Sequence, residues 1–221
     1  GVTMSHPEQM FFFENVRAFM PDFFQNAKVL EIGSLDVNGT VRVFFDSCDY
    51  TGLDIGPGPQ VDIVCSGEDF GAKATQYDVV FSTEVFEHTA NWDLIVLNMI
   101  RVMKRTGIMI FSCASSGSGQ HGTSLFIPDA APHVSVADDY YRNLLEDDFK
   151  AAFRFDYWFA DYYFMYDQNG LFFVGLGRDA IGGKQNLASL KAAYAEYLYK
   201  KNILGLPHNY IMNSLVTGGK V

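Results

Sequence analysis

The sequence predicts an α/β fold built on a mostly parallel sheet, and three observations carry that prediction. Short apolar runs of strand length recur near residues 28–32, 50–54, 61–64, 77–82 and 107–113. Helical periodicity falls between some of them, near 39–46 and again near 91–104, where Leu94, Ile95, Leu97, Met99, Ile100 and Met103 form an apolar face. Between the first two strands lies a glycine turn. Val29-Leu30-Glu31-Ile32 runs into Gly33, and Tyr50-Thr51-Gly52-Leu53-Asp54-Ile55 ends in a carboxylate 21 residues later. Strand, glycine turn, helix, strand and acid is the layout of a nucleotide-binding βαβ unit.

Each part of that unit has a chemical reason. Gly33 lets the backbone approach a ligand closely, and Asp54 at the next strand end can accept both hydroxyl protons of a ribose. The turn itself departs from the Gly-x-Gly-x-x-Gly pattern that brings a pyrophosphate against a helix N-terminus, because the segment reads Gly33-Ser34-Leu35-Asp36. An acid there repels pyrophosphate but suits an ammonium group. The turn therefore argues against NAD or FAD and for a cofactor with a ribose and a zwitterionic tail.

With these residues the chain resembles the class I S-adenosylmethionine-dependent methyltransferases, particularly the small bacterial and phage type 11 enzymes. The resemblance rests on Val29-Leu30-Glu31-Ile32-Gly33-Ser34, on Gly52-Leu53-Asp54-Ile55 and on Tyr77-Asp78-Val79-Val80-Phe81-Ser82-Thr83-Glu84-Val85-Phe86-Glu87-His88. Lys104-Arg105-Thr106-Gly107-Ile108-Met109-Ile110 adds the turn into a fifth strand. The likeness is close over residues 26–115 and loose elsewhere. It implies a Rossmann-like three-layer sandwich with a seven-stranded sheet of order 3-2-1-4-5-7-6, the last strand antiparallel. It also implies S-adenosylmethionine as cofactor, with S-adenosylhomocysteine as product.

In such a sheet the ligand lies beyond the carboxyl ends of the strands. Glu31, Gly33, Ser34 and Asp36 then face the amino-acid part of the cofactor. Asp54 takes the ribose, and Ile55 covers the adenine. Ser66-Gly67-Glu68-Asp69 offers the adenine edge backbone amides and a carboxylate, from either Glu68 or Asp69. Ser82, Thr83 and Glu84 complete the set after the fourth strand.

The other elements follow in order. Residues 6–20 read as a helix with Pro7 at its start, and Phe11, Phe12, Val16, Phe19 and Met20 recur at helical spacing. A helical turn is expected at Phe70 to Thr75. Residues 114–137 are rich in Ser, Gly and Pro, without periodicity, and read as a long functional loop. A helix at 138–152, strands at 153–165 and 171–177 joined by Asp167-Gln168-Asn169-Gly170, and a helix at 187–201 close the chain. One domain over 1–221 is expected: a helical lid at 1–25, a core at 26–177, and a C-terminal helix and tail at 178–221.

Composition narrows the partners. The net charge of −10, with no Lys/Arg cluster, argues against nucleic acid as substrate and favours a small-molecule methyl acceptor. The three cysteines, Cys48, Cys65 and Cys113, have no metal-ligand spacing and read as thiols in a reducing cytoplasm. No leader is read, and no apolar run approaches the roughly 20 residues of a membrane span. The sequence does not address oligomeric state.

Methyl transfer to a hydroxyl needs a base, whereas an unprotonated amine does without one. Of the five histidines, His121 stands among small residues in the long loop, and His88 follows the fourth strand one helical turn from Glu84. Those two are the candidate catalytic groups. His6, His133 and His208 read as surface or lid residues. His121, Asp129 and His133 offer a metal site on paper, and no metal is expected. Two other function classes remain open on this fold: an NAD(P)-dependent oxidoreductase, against which the incomplete glycine loop counts, and a non-catalytic cofactor-binding protein.

Overall fold

The computed structural model describes residues 7–71, 76–134, 139–207 and 211. Seven strands form one sheet: β1 (Lys28–Ile32), β2 (Asp49–Asp54), β3 (Ile63–Val64), β4 (Tyr77–Thr83), β5 (Met103–Ala114), β6 (Phe159–Asp167) and β7 (Gly170–Gly177). Their order is β3-β2-β1-β4-β5-β7-β6, as expected. The strand β7 runs antiparallel to the other six. The helices are α1 (Pro7–Phe19), α2 (Trp92–Val102), α3 (Glu146–Ala152), the single turn α4 (Phe155–Trp158) and α5 (Lys184–Asn202). Among the described residues no helix is long and apolar enough to cross a membrane.

Alternation along the strands builds the two faces. Val29, Val79, Phe81, Ile108 and Ile110 point to one side, where α1 supplies Phe11, Phe12, Phe13 and Val16, and α5 supplies Leu187, Leu190, Tyr194 and Tyr197. Leu30, Ile32, Val80, Met109 and Phe111 point to the other, against Ile95, Val96, Met99 and Ile100 of α2 and Phe149 of α3. Helix α1 is thus a layer of the core. The start of the sheet is fastened by Asp78, whose carboxylate accepts from the Lys28 backbone N–H and from Lys104 Nζ, both at 2.8 Å.

Several expected elements are shorter than their patterns suggested. The helix expected at 39–46 is only a 3-10 turn, Val41–Phe44. Gly39 has φ +104°, Thr40 Oγ1 accepts from the Arg42 N–H, and Asp46 already bonds the Phe24 carbonyl, so four residues remain to turn. The helix expected at 138–152 is confined to α3. Before it, the Arg142 N–H donates to the Glu87 carbonyl and the Leu144 N–H to the Ala114 carbonyl, which removes those donors from any helix. The strand expected at 153–165 begins only at Phe159, after α4. On α2, Leu94 and Leu97 face solvent, and Trp92, Val96 and Val102 are buried instead. The turn expected at Phe70 to Thr75 falls partly, and His6 and His208 fall wholly, outside the described residues.

Candidate active site

The carboxyl ends of β1 to β4 open into a cavity of about 350 Å³. Gly33 leaves β1 at φ +81°, and its N–H donates to the Leu53 carbonyl at 2.7 Å. A Cβ there would sit 2.1 Å from Val85 Cγ2, so only glycine fits between the β1 and β4 exits. Asp54 ends β2. Its Oδ2 accepts from the Leu35 N–H at 3.1 Å and its Oδ1 from the Gly56 N–H at 3.4 Å, which leaves acceptor capacity facing the cavity wall it forms.

The cavity brings together Glu31, Gly33, Ser34, Asp54, Ile55, Gly67, Glu68, Thr83 and Glu84, with His88 and His121 at its rim. Two expected residues are not brought there. Asp36 caps the following turn, accepting from the Gly39 N–H at 2.7 Å, and Ser82 is fully buried, donating to the Ile32 carbonyl at 2.9 Å. Of the two acids after β3, Glu68 lines the cavity and Asp69 does not. Ser34 Oγ and Glu68 Oε2 are buried without a hydrogen-bond partner among the described residues. Unpaired polar atoms inside a protein are costly.

Glu31 is buried beneath the cavity and receives a hydrogen bond from the Tyr50 hydroxyl. Burial pushes its carboxyl up to about 7, against the pull of Tyr50 and Arg42. On the other rim, the His88 ring lies edge-on to His121, centroids 5.1 Å apart, and Tyr141 packs on both at 5.6 and 5.0 Å. Burial, with a smaller effect of His121, pushes His88 down to about 4. Neither Asp129 nor His133 joins this group: Asp129 is exposed, and His133 Nε2 sits 3.2 Å from the Pro57 carbonyl.

A second cavity, of about 540 Å³, adjoins the first and shares Asn38, Glu84, His121 and Ala130 with it. Gln120, Gln168 and Asn169 contribute amides, Glu8 a carboxylate, and no Lys or Arg lines it among the described residues. Sequence reasoning missed this cavity because Glu8 and Asn169 come from opposite ends of the chain. It also missed Asn98, whose Nδ2 donates to the Gly67 and Glu68 carbonyls at 2.9 and 2.7 Å and so fixes the loop after β3. A buried amide amid the apolar residues of α2 was the available signal.

Residues 30–111 match the family model of a methyltransferase domain. That stretch is similar to a methyltransferase domain. It runs from β1 to β5, and every cavity wall formed by a strand exit lies inside it. No protein of curated function matches the chain. Solved structures share the fold. The N-methyltransferase NodS from Bradyrhizobium japonicum WM9, in complex with S-adenosyl-L-homocysteine, is 12% identical, with a TM-score of 0.53 over 79% of this chain and 90% of that one. The N-terminal domain of EvdMO1 with S-adenosylhomocysteine bound is 17% identical, with a TM-score of 0.54 over 76% and 81%. Burkholderia thailandensis 1,6-didemethyltoxoflavin-N1-methyltransferase, with 1,6-didemethyltoxoflavin and S-adenosylhomocysteine, is 14% identical, with a TM-score of 0.52 over 76% and 79%. At such identities the likeness of this chain to them is one of fold.

Proposed function

We propose that the domain transfers the methyl group of S-adenosylmethionine to a hydroxyl or amine of a small molecule held in the second cavity. The observation that carries this reading is Asp54, which is placed on the cavity wall by two backbone N–H groups with acceptor capacity to spare for a ribose. The residues around it fit the rest of the cofactor. Ser34 Oγ and Glu68 Oε2 are unpaired and buried in the same wall, and Glu31 offers a carboxyl to an ammonium group. The structural neighbours with S-adenosylhomocysteine bound support the same cofactor.

S-adenosylmethionine supplies an electrophilic methyl carbon on a sulfonium, whose C–S bond breaks toward sulfur as the acceptor's lone pair bonds the carbon. The chain's own part is to hold the acceptor beside it, where the two cavities meet at Glu84 and His121. An amide-rich, acidic lining without Lys or Arg suits a sugar or similar polyhydroxylated molecule and repels phosphates. The three free cysteines fit a reducing cytoplasm.

Calorimetric titration with S-adenosylmethionine, and separately with NADH, tests this. Binding of S-adenosylmethionine that weakens by about 1.5–3 kcal/mol in Asp54→Ala is expected, since ribose hydroxyls then lose a charged partner. Unchanged affinity in the variant overturns the ribose assignment. NADH binding in its place makes the protein an oxidoreductase, and binding without turnover over a panel of sugar and amine acceptors makes it a non-catalytic binder.

A further inference from the structure

The rim between the two cavities holds a cluster that methyl transfer by itself does not explain. Glu87, His88 and His121 each present a ligand atom, and these atoms all lie within 4.8 Å of one another. Glu87 is 0% and His88 5% exposed. Glu87 Oε2 and His88 Nδ1 nevertheless have no hydrogen-bond partner among the described residues. Two buried polar atoms left unpaired on consecutive residues of one cluster point to a missing partner.

The surroundings indicate what that partner is. Glu84, three residues before Glu87, brings a second carboxylate to the same place, where its Oε1 accepts from Ser112 Oγ at 3.0 Å. No Lys or Arg pairs with Glu84 or Glu87 among the described residues. His121 Nδ1 lies 3.0 Å from the Gly119 carbonyl, which leaves Nε2 as its free nitrogen. A backbone carbonyl behind an imidazole is the usual outer support of a metal-binding histidine. The frame is fixed from three sides: Glu84 leaves β4 at φ +54°, the 3-10 turn Phe86–His88 follows, and the Ala114 N–H donates to Glu87 Oε1 at 3.2 Å.

We propose that Glu87, His88 and His121, with Glu84 beside them, bind a divalent cation of the manganese-to-zinc series. Two imidazoles with carboxylates suit that series better than magnesium or calcium, which favour oxygen ligands throughout. Glu84 and His121 line both cavities, so the cation lies at the seam with its remaining positions toward the acceptor. Here the inference rests on the methyltransferase reading and narrows it to a hydroxyl acceptor. A hydroxyl on the cation is acidified, its proton passes to the Glu84 carboxylate, and its oxygen bonds the methyl carbon as the C–S pair moves to sulfur. His121 then acts as a ligand instead of a free base.

The test uses the full chain stripped of metal by chelation. Added Co(II) is expected to give visible ligand-field bands saturating at one equivalent, with affinity at least about 100-fold weaker in His88→Ala and His121→Ala. Mn(II) in the same site is expected to enhance solvent-proton relaxation, since open positions carry exchanging water. Thermal unfolding of the same variants reports folding, and S-adenosylmethionine titration of the wild type reports the first cavity. Co(II) affinity unaltered in a folded His121→Ala, whose ring is partly exposed, overturns the site, as does absence of saturable Co(II) binding in the wild type. Co(II) binding without Mn(II) relaxation enhancement overturns the open positions. A protein that binds Co(II) but not S-adenosylmethionine keeps the metal site and loses the methyltransferase reading.

Discussion

The Tyr50 hydroxyl donates to the Glu31 carboxyl across β1 and β2, beneath the floor of the cofactor cavity. Val29 pairs with Tyr50, so Glu31, two residues on, shares its face of the sheet. The pair lies on the α1 side, where burial outweighs the hydrogen bond and raises the Glu31 carboxyl from 4.5 to about 7. The folded protein therefore keeps a proton that the unfolded chain has released. Stability falls as pH rises from 4.5 through 7, by about 3 kcal/mol for this group. Urea unfolding at pH 5 and pH 8 should show that loss in the wild type, reduced by a similar amount in Glu31→Gln. Equal slopes in both proteins would place the titration elsewhere.

Gly33→Ala is expected to damage both stability and cofactor binding. The position needs φ +81°, and the new methyl would lie 2.1 Å from Val85 Cγ2. Backbone strain of this kind costs about 1–3 kcal/mol before any repacking of Val85. Thermal unfolding and calorimetry on the same sample should both move. A variant with wild-type melting would mean that the turn relaxes without difficulty.

Lys201→Met is expected to destabilise the protein by about 3 kcal/mol. Lys201 Nζ lies 2.5 Å from Asp167 Oδ1, the Asp167 side chain is 2% exposed, and its other oxygen accepts from the Tyr197 hydroxyl at 3.2 Å. Removing the ammonium strands a buried carboxylate, while replacing both partners does not. Asp167→Asn with Lys201→Met should therefore recover most of the loss in a double-mutant cycle. Additive losses would count against direct coupling.

Much of the sheet could be read from sequence because its signals are local. Each strand is a short apolar run, and Gly33 and Asp54 punctuate two of them. The elements misread from pattern are those whose backbone bonds go to distant partners. Residues around Arg142 and Leu144 look helical but bond Glu87 and Ala114, an arrangement invisible to a window of neighbouring residues. The site divides the same way. Asp54 and Glu84 announce themselves at strand ends and Glu31 within β1, whereas Glu87 beside His121 needs the fold to bring β4's exit to the long loop. Ser82 was misplaced by strand alternation: it faces the interior between β1 and β4, one residue short of Thr83, which reaches the cavity.

The connection between β1 and β2 holds a 3-10 turn in place of a helix, and this gives the molecule a soft side. Between Gly33 and Cys48 few amides are tied to the sheet, while Asn38, Thr40 and Val41 face the cofactor cavity. Amide hydrogen exchange should therefore be fastest in this crossover and slow on cofactor binding, well before the strands beneath it exchange at all. Ordering the crossover and capturing the cofactor are then a single event. Part of the intrinsic affinity would then go into ordering the loop.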